Sequence, residues 1–175
     1  MRKLSMQELN RLSVAAFKEV EKFPVVVVLD NVRSLNNVGA AFRTADAFCI
    51  EKIYLCGITG KPPHRDIHKT ALGATDSVEW AYYKSTAEVI VLLKEAGYQL
   101  LAVEQTENAV PLQALDINKK QKYAFIFGNE VFGVESEVLA LCDTSLEIPQ
   151  FGTKHSLNIS VSIGIVLWNY LKEIF

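Results

Sequence analysis

Cysteine is scarce in this chain, with three in 175 residues. Cys49, Cys56 and Cys142 are odd in number, widely spaced and set among apolar residues, which excludes a disulfide framework and a cysteine-rich zinc site and leaves three reduced structural thiols. No apolar run reaches the roughly 18 residues that a membrane helix needs, since even Val161 to Leu171 is broken by Ser162, Gly164 and Asn169. No charged-then-apolar leader opens the chain either, and the expected location is the cytoplasm, away from membranes. Positive charge is not in excess: 18 Lys and Arg stand against 20 Asp and Glu, a net charge of -2. A nucleic-acid surface, if present, therefore has to be a local patch or one completed by a second subunit.

Familiar site signatures are missing too. No G-x-G-x-x-G occurs, so the dinucleotide fingerprint is absent. Gly128-Asn-Glu-Val-Phe-Gly133 is not a phosphate loop, because Val134 and Glu135 follow where Lys and Ser/Thr are required and Glu130 repels phosphate. By itself that segment reads as a tight turn. There is no Gly-x-Ser-x-Gly elbow for a serine hydrolase. His64 and His68 have helical spacing, but Pro62-Pro63 precede them and no third ligand is near, so no metal is expected.

What is present is a hydrophobic half of the composition, enough for one domain, residues 1–175, with a sizeable core. Ser5-x-x-Glu8 is a capping box, and Leu9, Leu12, Ala16 and Val20 follow at helical spacing, which predicts an amphipathic helix ending before Pro24 as an N-terminal extension over residues 1–22. Its cations Lys3, Arg11, Lys18 and Lys22 read first as a solvated face. Val25 to Leu29 is a continuous β-branched run, as in a strand covered on both faces of a parallel sheet. Asp30 to Asn37 reads as a loop and Gly39 to Phe48 as a small-residue helix. Further strands are predicted at Lys52–Cys56, Val78–Tyr83, Tyr98–Val103, Tyr123–Phe127 and Ser145–Ile148. Between them lie a loop from Gly57 to Asp66, a capped helix from Ser85 through Glu95 closed by Gly97, and a short helix near Glu135–Ala140. A long helix ends the chain. The alternation predicts an α/β fold with a mainly parallel sheet flanked by helices.

In such sheets ligands bind beyond the carboxyl ends of the strands, and three polar, glycine-bearing segments fall there: Asp30 to Gly39, Gly128 to Gly133, and Pro149 to Asn158. In the last, Pro149 and Gly152 make an irregular backbone, and Ser156 or Asn158 can satisfy the free amides of the helix that follows. Arg43 lies among Ala40, Ala41, Ala45 and Ala47. It reads either as a solvated arginine or as planar donors presented beside these loops to hold a phosphate.

Taken in order, the three segments resemble the motifs of the SpoU (TrmH-type) RNA ribose 2′-O-methyltransferases of the SPOUT superfamily. Asn37-Val-Gly39-Ala-Ala-Phe-Arg43-Thr-Ala45 is similar to N-x-G-A-x-x-R-T-A. Phe127-Gly-Asn-Glu-Val-Phe-Gly133 is similar to F-G-N-E-G-x-G. Ile148-Pro149, Gly152 and Ser156-Leu-Asn158-Ile-Ser-Val-Ser162 are similar to I-P-M-x-G-x-x-x-S-L-N-V-S-V-A. Lys69-Thr-Ala-Leu-Gly73-Ala74 also resembles a family segment. Val131 replaces the usual Gly and Gln150 the common Met. The likeness covers residues 24–172.

The resemblance implies a C-terminal trefoil knot, a homodimer, S-adenosylmethionine as methyl donor without a metal, and tRNA or rRNA as partner. It implies that Arg43 holds the RNA phosphate and assists deprotonation of the ribose hydroxyl, with Asn37, Asn158, Ser156 and Glu130 orienting the reacting groups. It further implies that the donor rests on Val103, Glu104, Gln105, Gly128, Asn129, Gly133, Ile148, Pro149, Gly152, Ser156 and Leu157. Two other readings stand beside it: a noncatalytic RNA-binding or assembly protein that keeps the knot, and a related enzyme that methylates a base.

Overall fold

The computed structural model describes residues 1–5 and 7–175. Seven strands form one sheet, β1 (Phe23–Asp30), β2 (Ile50–Cys56), β3 (Glu79–Tyr83), β4 (Tyr98–Val103), β5 (Val110–Pro111), β6 (Lys122–Phe127) and β7 (Thr144–Glu147). Their order across it is β3-β2-β1-β6-β4-β7-β5. Every pairing between them is parallel, so the sheet is more uniform than the mainly parallel one expected.

The helices are α1 (Val14–Glu19), α2 (Leu35–Ala47), α3 (Arg65–Ala71), α4 (Ala74–Ser77), α5 (Thr86–Glu95), α6 (Ser136–Leu141) and α7 (Ile159–Lys172). Alternate residues of β1 serve the two sides of the sheet. Val25, Val27 and Leu29 pack with α2, α3 and α7, while Val26 and Val28 join the α5 and α6 side. The unbroken apolar run of β1 is thus explained by burial on both faces. Central β6 repeats the division, with Tyr123, Phe125 and Phe127 on the first side and Ala124 and Ile126 on the second.

Four expectations are corrected. The N-terminal capping box does form, Ser5 N donating to Glu8 Oε2 at 2.7 Å and Glu8 N to Ser5 Oγ at 3.4 Å. No helix propagates from it: a turn ends at Asn10, whose φ is 47°, and Ser13 caps the six-residue α1 instead. Of the predicted helix, Met6 lies outside the described residues. Leu9, Leu12 and Val20 are exposed and only Phe17 is buried, so the apolar stripe has no surface to pack on, and packing is what stabilises most short helices. Lys22 is not a free cation here, since its Nζ donates to Phe17 O and Val20 O.

The second correction moves the start of α2 four residues earlier, to Leu35, because Ser34 accepts from Asn37 N and caps it. Asn37 therefore sits in the first helical turn and not in a loop. Third, α3 and α4 fill a stretch where no helix was predicted; His64 caps α3 by accepting from Asp66 N, and a seven-residue helix is too short to declare a period. Fourth, Ser85 stands at the N-cap of α5 without a side-chain capping bond.

Candidate active site

The carboxyl ends of β1, β6, β4 and β7 carry the three polar segments, and a chain of hydrogen bonds joins them. At the end of β1, Asp30 is fully buried. Its carboxylate accepts from Thr86 Oγ1 at 2.5 Å, Asn31 Nδ2 at 3.0 Å and, across to the second segment, Glu135 N at 3.0 Å. Asn31 holds a left-handed conformation at φ 55°, which asparagine tolerates better than most residues. Its Oδ1 accepts from Ile58 N, and its carbonyl accepts from Asn129 Nδ2 at 2.8 Å. A buried carboxylate is tolerated only with its oxygens satisfied, and here that requirement clamps the first loop to the second.

The second segment leaves β6 as a closed ring: Asn129 N donates to Gly133 O and Gly133 N to Asn129 O, both at 2.9 Å. The side chain of Asn129 serves both sides: its Oδ1 accepts from Val131 N and Phe132 N inside the ring, while its Nδ2 reaches out to Asn31 O. Glu104, at the end of β4, braces the ring from outside by accepting from Val134 N at 3.0 Å.

Glu130 turns away from the ring toward the first motif. Its carboxylate accepts from Arg33 N and Ser34 N, both at 3.0 Å, and from Asn37 Nδ2 at 3.1 Å. Asn37 Oδ1 in turn accepts from Asn158 Nδ2 at 3.2 Å, and Asn158 caps α7 by accepting from Ser160 N at 2.9 Å. Glu130, Asn37 and Asn158 thus connect all three motifs through side chains. Partial burial pushes the Glu130 carboxyl up, but the hydrogen bonds from Arg33, Ser34 and Asn37 outweigh it and the net shift is downward.

A carboxyl lowered on folding contributes stability above its unfolded range and loses it as pH falls through the folded value. Urea unfolding is therefore expected to show a loss on acidification below the usual carboxylate pKa of 4.5 that is smaller in Glu130→Gln than in the wild type. Identical acid sensitivity in the two proteins would refute the assignment.

Beside this network lies an open cavity of about 470 Å³, within the range of roughly 300–1,000 Å³ usual for small-molecule sites. Of the residues expected to hold a cofactor, Val103, Glu104, Gln105, Gly128, Asn129, Gly133, Ile148, Ser156 and Leu157 line it, as do Glu130 and Asn158. Gln105 Nε2 also donates to His155 O at 2.8 Å, tying the end of β4 to the third segment. Pro149, Gly152, Asn37 and Arg43 are not in the wall. Gly152 lies on an exposed stretch, residues 151–158, and, with no left-handed φ and no atom within 4 Å of where a β-carbon would stand, it is not the glycine-specific backbone position expected there. Arg43 is exposed. It leaves α2 about 120° round the helix from Asn37, as a six-residue separation requires. Among the described residues the ion pairs are Arg2–Glu8 and Lys172–Glu173, so Arg43 carries an unpaired charge.

Sequence reasoning missed Asp30, Asn31, Thr86 and Glu135 as organisers, and Phe132, Glu147 and His155 as parts of the wall. The one available signal was Asp30 at the end of an otherwise apolar strand. His64 and His68 do not gather a metal site; no group of three or more His, Cys, Asp or Glu suited to a metal occurs among the described residues. The thiols are free, and burial pushes those of Cys56 up to about 12 and Cys142 up to about 11. No helix among the described residues is long and apolar enough to cross a membrane.

An all-parallel α/β sheet with an open cavity of small-molecule size at its strand ends, lined by the loops that carry the three motifs, has the architecture of a small-molecule-binding α/β protein. The chain belongs to the SpoU rRNA Methylase family, whose model matches residues 24–168. It is 32% identical over 149 residues to the tRNA (guanosine(18)-2′-O)-methyltransferase of Thermus thermophilus, covering 85% of this chain and 75% of that protein. Among solved structures it resembles the AdoMet-bound rRNA methyltransferase of Sinorhizobium meliloti, with a TM-score of 0.82 at 26% identity over 91% of this chain and 60% of that one. It also resembles the A. aeolicus TrmH/SpoU tRNA modifying enzyme, with a TM-score of 0.79 at 25% identity over 90% of this chain and 78% of that one.

Proposed function

We propose that this protein transfers a methyl group from S-adenosylmethionine to a ribose 2′-hydroxyl of tRNA or rRNA. The observation that carries the reading is the joining of the three family motifs through Glu130, Asn37 and Asn158 at the rim of one cavity. The relatives named as RNA 2′-O-methyltransferases support it, as does the AdoMet-bound structure at similar fold.

The cavity suits the donor. Val103, Leu146, Ile148 and Leu157 offer apolar walls, and Gly128 and Gly133 leave main chain uncovered by side chains, which fits an adenine flanked by polar groups. When bound, S-adenosylmethionine supplies a methyl group made electrophilic by its sulfonium. The chain's own work is then to hold the ribose oxygen in line and manage its proton. Arg43 holds the phosphate beside the target ribose through its planar donors. A guanidinium stays protonated and cannot take the proton itself, so the hydroxyl proton leaves by way of the held phosphate or a neighbouring carboxylate. Asn37 and Asn158 keep the ribose side of the site in register, and Ser156 positions a phosphate.

The chain is a single domain, with residues 1–22 an extension and 24–172 the core. The trefoil knot is part of this proposal and agrees with β7 lying beyond β4 while α7 returns to pack on α2. So is a homodimer, for which the exposed stripe Val161, Ile165 and Trp168 on α7 is the physical motive; such a stripe calls for a partner. Light scattering at micromolar concentration is expected to report two 19.5 kDa chains per particle, and Ile165→Asp to report one. A wild type that is monomeric at that concentration would overturn the dimer.

The decisive test of function is mapping of 2′-O-methyl sites in tRNA and rRNA from cells with and without this protein, combined with calorimetry of S-adenosylmethionine binding. One site lost with the protein is the expected result. Donor binding without any changed site would shift the substrate class, and no donor binding would favour a noncatalytic RNA-binding role.

A further inference from the structure

A second cleft, of about 530 Å³, shares no lining residue with the cofactor cavity and lies between Pro62-Pro63, α3, the start of α4 and the edge strand β3. Its wall combines a flat aromatic, a cation and a carboxylate: Trp80, Arg65 and Asp76, with His64 and His68 at the rim. Trp80 is half-buried and packs edge-on against Phe42 of α2, ring centroids 6.4 Å apart, so its orientation is set before any ligand arrives. Arg65 and Asp76 are exposed and neither is in an ion pair among the described residues. His64 accepts from Asp66 N through Nδ1 at 3.1 Å, which leaves Nε2 as the donor end of a neutral ring.

The segment that supplies most of the wall has a positive balance in a chain of net charge -2: from Asn31 through Asp76 six Lys and Arg stand with four Asp and Glu, the cleft's own carboxylate included. Of these cations Arg43 and Arg65 lie on α2 and α3, which pack side by side, and Lys61 covers the ring of Tyr82, two residues beyond Trp80 on the same strand face, at 4.1 Å. These cations are a local source of positive charge in a chain whose overall balance is negative, and the N-terminal α1 packs beside them on α4.

We propose that this cleft is a second nucleotide pocket, which takes one unpaired, amino-bearing base of the RNA substrate stacked on Trp80, its phosphate held by Arg65. Aromatic faces stack on any unpaired base, and a guanidinium binds phosphate bidentately. Asp76 accepts from ring or exocyclic N–H groups, which guanine, adenine and cytosine offer at their pairing edges and uracil offers least. The proposal rests on the RNA-methyltransferase reading: the pocket holds a nucleotide other than the one methylated and anchors the RNA as it passes Arg43.

The test uses the full-length Trp168→Phe protein, in which Trp80 is the one remaining tryptophan of two. Guanosine 5′-monophosphate, titrated with S-adenosylmethionine at saturation to block the cavity, is expected to quench its fluorescence saturably. Inorganic phosphate is expected to leave the emission unchanged, and Arg65→Ala to weaken the nucleotide by about tenfold, as for loss of a charge-assisted contact. With the responsive RNA, Arg65→Ala should raise KM by a similar factor and leave kcat unchanged. A methylating enzyme whose Trp80 emission is silent to the nucleotide, or whose KM is indifferent to Arg65→Ala, overturns the pocket alone. Saturable quenching in a protein that methylates no RNA upholds the pocket and overturns the activity.

Discussion

Arg43→Ala is expected to lower methyl transfer by about a thousandfold, the scale of removing one preorganised donor from a reacting charge. S-adenosylmethionine should still bind as in the wild type, because Arg43 is not part of the cavity wall. The fold should hardly notice the change. An exposed arginine with no ion pair belongs to the surface substitutions that shift stability by no more than about 0.5 kcal/mol. Single-turnover transfer of labelled methyl, calorimetry of the donor and a thermal melt together separate these effects. Arg43→Lys keeps the charge but not the planar fork and should fall between the two. Turnover near the wild-type rate in the alanine variant would remove Arg43 from the mechanism.

The second large effect is expected at Gly128. A β-carbon there would lie inside the van der Waals shells of the Gly133 carbonyl carbon and Val134 N, both backbone atoms. No flexible side chain can yield, so the methyl fits only if the ring closed by Asn129 and Gly133 opens. Opening it also endangers the bond from Val134 N to Glu104. We expect Gly128→Ala to cost about 1–3 kcal/mol in urea unfolding, as overpacking against fixed atoms does. Donor affinity should fall at least about a hundredfold, equivalent to about 2.7 kcal/mol, because the backbone that walls the cavity is displaced. Gly152→Ala is the matched control, with no atom within 4 Å of its β-carbon, and should stay within about 0.5 kcal/mol of the wild type. If Gly128→Ala binds the donor normally, the ring is not what shapes the cavity.

Much of the architecture was legible because burial on two faces leaves a mark in the chain. Val25 to Leu29 and Tyr123 to Phe127 are apolar at every position, and they became the two central strands. Helices with a partner surface were legible for the same reason, α5 and α7 among them. The N-terminal segment shows the converse. Its periodicity and capping box are genuine, yet Leu9 and Leu12 remain exposed and the helix shrinks to α1. A pattern states which face is apolar, but not whether anything covers it.

The candidate site divides along a similar line. Residue types at motif spacing singled out Arg43, Asn37, Glu130 and Asn158, and by resemblance implied a methyl donor and RNA. Their division of labour was not legible. Glu130 and Asn158 proved to be bonded to each other's neighbour Asn37 across separations of 93 and 121 residues, and Asn129 divides its side chain between its own ring and the Asn31 carbonyl of the first loop.

By itself the sequence determined the α/β class, the central strands and the three segments at their ends, because those depend on local polarity and on backbone that only glycine, proline and asparagine readily supply. Only the tertiary structure decided which polar groups face one another, that buried Asp30 is the clamp between two loops, and that Trp80, Arg65 and Asp76 share a cleft. Such pairings join residues far apart in the chain, and no local pattern records them, because a hydrogen bond depends on distance and angle in space and not on separation along the backbone.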